Sequence, residues 1–179
     1  DSIGYMNISG SYFYHNISNG TGGAIRIRGE LNASRNHFTL NHALAGGAIG
    51  TQDESIVHIE GNIFSNNTAS NGGAIMAYNT IATIRHNLFM RNHAYKRGVI
   101  YDDTNVAVLI EGNIFVNNTT QNIAKNVSEV TTIIQNNVFA TDITEVNTTE
   151  ISHIVSEPQS ITLTTCTFEA FSQAVITVN

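Results

Sequence analysis

Tryptophan is missing from this chain, proline and cysteine occur once each, and charged residues make up only 12%. Each scarcity excludes something. A single cysteine, Cys166, can form no internal disulfide and no cysteine-based metal or redox motif. Charge at about half the usual share leaves the polar surface to asparagine, serine and threonine. The net charge of −6 offers no basic patch for phosphates and argues against a nucleic-acid partner. No apolar run reaches about 18 residues, so no membrane-spanning segment is expected. No stretch of about ten residues carries a helical stripe. The chain starts at Asp1 rather than methionine, and is expected to be a mature or excised piece of a longer product.

What is present is repetition. Phe13, Phe38, Phe64, Phe89, Phe115 and Phe139 recur every 24 to 26 residues, and Phe168 follows after a longer interval that holds Pro158. A second phrase keeps the same step. It reads Gly-Gly-Ala-Ile from Gly22, Gly46 and Gly72, and decays to Arg97-Gly98-Val99-Ile100. A fixed period over most of a chain signals a repeat architecture. Seven and five places before each phenylalanine stand pairs such as Val57 and Ile59, or Val108 and Ile110. This is period-two alternation in short β-branched runs.

A unit of about 25 residues holds three short strands and three turns. Stacked units pair strand on strand in parallel at about 4.8 Å per step. The expected fold is all-β, a right-handed parallel β-helix of about seven coils, three strands per coil, forming a rod roughly 30 Å long. It is expected to be one domain, residues 1–179, with regular coils over 6–118 and degenerate coils over 119–179. Ile25, Ile49, Ile75 and Ile100 should form an inward ladder, and the phenylalanines another. The glycine pair should supply a corner of positive φ. Asparagine recurs two places before the phenylalanine (Asn36, Asn62, Asn87, Asn113, Asn137) and three after it (Asn16, Asn41, Asn67, Asn92, Asn118). Stacked amides can bond along the axis, so these are read as structural.

The Gly-Gly-Ala-Ile phrases and the Phe-x-x-Asn phrases at 13, 38, 64, 89 and 115 resemble the repeats of the chlamydial polymorphic outer-membrane proteins. They are similar as well to repeats of related secreted parallel β-helix proteins. The resemblance covers residues 8 to about 118. Phe139 with Asp142 and Phe168 with Phe171 depart from it. The resemblance implies a surface-exposed β-helix, adhesion, extracellular display and a C-terminal translocator barrel beyond the repeats.

Chemistry is sparse. Parallel β-helices include polysaccharide lyases and hydrolases, which need paired carboxyls or calcium carboxylates with a base. The acids here are Asp102 and Asp103, with Asp53 and Glu54 earlier, and they read as solvated turns. No catalytic residue is assigned. His58 with His86 and His42 with His93 lack a third ligand at useful spacing, so no metal or other cofactor is expected. Glu60, Arg85 and Glu111 occupy one position in consecutive units, placing opposite charges on neighbouring strands. The Asn-x-Ser/Thr triplets that should face outward are Asn7, Asn32, Asn66, Asn117, Asn126 and Asn147, the glycan candidates if the source is eukaryotic. Asn16 and Asn118 are poorer acceptors because they stand in the ladder.

The leading functional reading is a non-enzymatic extracellular or cell-surface solenoid: a filament subunit, stalk or adhesive surface. Head-to-tail self-association, or flanking repeats of the same chain, should cover the open strand ends. A second reading is a binding module for carbohydrate or a surface receptor, through an exposed face carrying Arg26, Met76 and Tyr101, with Arg28 and Tyr78 two places on. The third is a carbohydrate-active enzyme of the pectate-lyase-like class.

Overall fold

The computed structural model describes residues 4–119, 121–126 and 132–140. Their strands pair in parallel throughout and form four sheets of six, six, three and five strands. Together they make about five turns of a parallel β-solenoid. The seventh coil expected around Phe168 lies outside the described residues.

One coil passes through the four sheets in turn. It begins in an aliphatic sheet (Gly4–Ser9, Gly29–Ser34, Ser55–Glu60, Thr80–Arg85, Val108–Glu111, Thr132–Gln135). It enters a phenylalanine sheet (Tyr12–Tyr14, His37–Thr39, Ile63–Ser65, Leu88–Met90, Ile114–Val116, Val138–Ala140). It then crosses a short sheet (His42–Ala45, Thr68–Asn71, His93–Arg97). The coil closes through a glycine-corner sheet (Ile25–Ile27, Ile49–Thr51, Ile75–Tyr78, Ile100–Asp103, Ile123–Lys125). The short sheet corrects the expected three strands per coil. Its strands read HALA, TASN and HAYKR, with one small inward alanine each (Ala43, Ala69, Ala94), so they lack the apolar alternation that marks the others.

The register is the one the repeat dictates. Ile25 pairs with Ile49, Ile49 with Ile75, and Ile75 with Ile100. The phenylalanine rings stack face to face from Phe13 to Phe139, with centroids 4.8–5.0 Å apart and planes within 10°. Phe38, Phe64, Phe89 and Phe115 are fully buried, as are Ile59, Ile84 and Ile110 opposite them. Each such side chain contributes about 1.5–3 kcal/mol by leaving water.

The corners on either side of the phenylalanine strand carry a feature that glycine alone does not explain. His15, Leu40, Asn66, Arg91 and Asn117 have φ of 48–57°, and Gly10, Arg35, Gly61, His86, Gly112 and Asn136 have φ of 54–65°. A non-glycine residue in this region costs about 1–2 kcal/mol. The residue after each corner offsets that cost. It is a ladder asparagine in every coil, except that Ser11 stands at the head of one column. The Oδ1 of Asn87 accepts from the backbone N–H and the Nδ2 of Asn62, at 2.8 and 3.0 Å. Asn87 in turn donates from both nitrogens to Asn113 Oδ1, and its Nδ2 reaches Ile59 O at 2.9 Å. The second column works identically, through Asn41, Asn67, Asn92 and Asn118. The structural reading of both asparagine series therefore holds.

The glycine pair divides two tasks. Gly22, Gly46 and Gly72 have φ of 62–69°, the expected corner. Their partners Gly23 and Gly47 need closeness instead: a Cβ on Gly47 would sit 2.1 Å from Gly73 O.

Candidate functional site

The register places Arg26, Gly50, Met76 and Tyr101 in one outward column of the glycine-corner sheet, with Tyr78 beside Asp103 in the next. Arg26, Arg28 and Tyr78 are exposed there, but Tyr101 is not. Tyr101 is 2% exposed, which overturns its reading as an exposed ring. The cause is Arg97, whose guanidinium donates to the Tyr101 hydroxyl and lies 5.1 Å from its ring centroid. Burial pushes the Tyr101 phenol above its usual range, the Asp103 charge pushes the same way, and Arg97 partly opposes both. Arg26 meets the amide of Gln52, whose oxygen, turned toward it, accepts from Nη2 at 2.5 Å. Arg28 pairs with Glu54 at 3.7 Å. Met76 is half-buried, and Tyr78 alone of the group presents an exposed ring.

The acids follow different fates. Asp53 accepts from Asn79 Nδ2 at 2.8 Å, and Asp103 from Asn126 Nδ2 at 2.8 Å. Asp102 is wholly buried, which corrects its reading as a solvated turn. Alternation from Ile100 turns it inward, into the column Ile27, Thr51, Ala77, Asp102, Lys125. One carboxylate oxygen accepts from Thr104 N and Oγ1 at 3.1 and 2.7 Å. The other accepts from Thr132 Oγ1 at 2.5 Å and faces Lys125 Nζ at 3.8 Å. A buried carboxylate needs such partners. Asp53, Asp102 and Asp103 thus stand in separate hydrogen-bonded settings, with Glu54 paired to Arg28, instead of converging.

Among the described residues no three histidine, cysteine or acidic side chains gather as a metal site. His42 and His58 are exposed, His86 faces Glu60 at 3.4 Å, and His93 hydrogen-bonds Thr119. Within the charge series, Arg85 binds Glu60 at 2.9 Å, whereas Glu111 accepts from Gln135 Nε2 at 2.7 Å. Partial burial opposes ionisation of Glu60, but the hydrogen bonds and charges of Arg85 and His86 outweigh it and hold its carboxyl below the usual value.

The triplet asparagines are spread over the surface. Asn7 and Asn117 are exposed, and Asn66 is half-buried at an αL corner. Asn32 Nδ2 lies 3.3 Å from the Tyr5 hydroxyl. Asn126 has both ends of its amide engaged, by Arg97 and Asp103. Asn147 lies outside the described residues.

An aromatic group absent from the expected set stands on the phenylalanine sheet. Tyr12 and Tyr14 flank the inward Phe13 and are 62% and 56% exposed. Their rings are near-parallel at 6.0 Å, and His37 of the next coil lies 5.8 Å from Tyr12. Three of the six tyrosines fall within the first 14 residues, and the stretch "SYFYHN" alternates around its phenylalanine. That was the signal available in the sequence.

Comparison with known proteins agrees with the architecture. Residues 63–78 match the Chlamydia polymorphic membrane protein (Chlamydia_PMP) repeat. They run from the strand Ile63–Ser65 through the glycine corner to Tyr78. A transmembrane domain-containing protein of Dictyostelium discoideum is 38% identical over 73 residues. That match covers 38% of this chain and 4% of the relative, so the chain spans a small part of its length. No solved structure matches. Among the described residues no helix is long and apolar enough to cross a membrane. The chain is a parallel β-solenoid whose coils resemble the polymorphic membrane protein repeat.

Proposed function

We propose that the chain is a surface-displayed structural solenoid, a stalk or adhesive rod whose interior carries stability and whose outer faces carry contact. One observation carries this: the phenylalanine stack and both asparagine ladders run unbroken through the described coils, so the inward residues are committed to each other. The scattered acids fit a non-enzymatic role. Both comparisons involve membrane proteins by name, which supports display at a membrane surface. In a eukaryotic source, Asn7 and Asn117 are the most open glycan acceptors.

The test is antibody raised against folded 1–179 and applied to intact source cells. Labelling without permeabilisation is expected. Labelling that requires permeabilisation would overturn display.

A further inference from the structure

We propose that Tyr12, Tyr14 and His37, with Thr39 beside them, form a binding platform for a neutral sugar chain. Alternation around Phe13 sends both tyrosines out from one strand. The next coil sets His37 beside Tyr12 and Thr39 beside Tyr14. A surface that exposes two large rings stacked on one another, with an imidazole beside them, signals an interaction site. The rest of this sheet sharpens the contrast. The column that opens with Tyr12 and His37 continues as Ile63, Leu88, Ile114 and Val138, all buried. Along that column exposure falls from Tyr12 through half-buried His37 to the buried residues.

The chemistry selects the ligand. Ring faces take up the C–H side of a pyranose, and hydroxyls and imidazole bond its edge. Tyr12 and Tyr14 supply two phenol hydroxyls, and His37 supplies ring nitrogens. Thr39 Oγ1 and Ser65 Oγ, 2.9 Å apart, extend a hydroxyl row into the third coil. The rings contact each other and the imidazoles of His37 and His15, and among the described residues the cation–π contact falls on Tyr101 instead, which suits an uncharged ligand. The coil step of about 4.8 Å is comparable with one sugar unit, so successive coils can meet successive residues. Tyrosine loses little conformational freedom on binding, which suits a preformed surface.

This proposal rests on the display reading only in needing the face open to the medium. Its test uses the 1–179 chain with cellohexaose, chitohexaose and maltohexaose. Because the chain has no tryptophan, tyrosine fluorescence reports directly. Saturable binding to at least one hexasaccharide is expected. Tyr12→Ala and Tyr14→Ala should each weaken it about tenfold, Tyr12→Phe less, and Tyr95→Ala on the short sheet not at all. Circular dichroism of each variant should match the parent, since the altered side chains face solvent. Absence of saturable binding to all three sugars, or binding unchanged in the Tyr12→Ala/Tyr14→Ala double variant, would overturn the platform. Surface labelling without sugar binding would leave display standing and remove this site alone.

Discussion

Two sides of the same coil solve the problem of an interior differently. On the phenylalanine side one answer is written into each successive coil, and rings and amides inside the stack meet their own kind above and below. On the glycine-corner side the inward column changes at each step, from Ile27 through Thr51 and Ala77 to Asp102 and Lys125. There the polar groups are satisfied by particular partners: Thr51 Oγ1 bonds Thr80 Oγ1 at 2.6 Å, and Asp102 is held by Thr104 and Thr132. A uniform column tolerates repetition without design at each rung. A mixed column needs its own network, and it holds only where that network is complete.

The largest expected effect comes from putting a charge into the uniform side. Ile59→Asp and Ile84→Asp each bury an unpaired carboxylate between fully enclosed neighbours. Neither variant should show a folded baseline in a denaturant titration. Stability equal to the parent in either would sink the ladder register.

Next comes a direct contest between the sides. Asn87→Leu strands the Asn62 N–H, takes the side-chain donor from the Ile59 carbonyl and cuts the column in two, about 1–3 kcal/mol for the orphaned group and roughly 3–4 in all. Asp102→Ala removes hydrogen bonds to a charged group, about 2–3 kcal/mol. Urea midpoints of the two variants decide the ranking. A larger loss from Asp102→Ala would make the mixed side the stronger one.

The smallest effect belongs to the surface. Arg85→Ala should cost under about 1 kcal/mol at pH 7, since the pair is exposed and screened. Because the folded Glu60 pKa is depressed, the pair's contribution is complete above the unfolded carboxylate value and disappears as pH falls through the lower folded value. Parent and variant should therefore converge in acid. A gap that persisted at low pH would assign the effect to packing.

The same contrast explains what could be read in advance. Phenylalanine spacing and the two asparagine series announced the repeat because each column reuses one residue. The short sheet escaped, since strands such as Thr68–Asn71 offer one inward alanine and no alternation. The αL corners escaped because histidine, leucine and arginine occupy them, and only the following amide makes them stable. Tyr101 was misplaced because exposure was inferred from parity alone, while Arg97, four residues earlier, folds over it. Asp102 was read by its charge, when its parity with Ile100 already turned it inward.

The asparagine columns run one way. From rung to rung, the backbone N–H and one Nδ2 hydrogen go to the Oδ1 of the coil that follows in sequence, while the other Nδ2 hydrogen returns to a carbonyl of the coil before. A chain made from its N-terminus therefore finishes a coil with one backbone N–H and one amide hydrogen per rung aimed at the coil still to be synthesised. Each completed rung is a template awaiting a single oxygen, and a coil arriving in reverse orientation would present the wrong atom. The rod has a reading direction built into its hydrogen bonds.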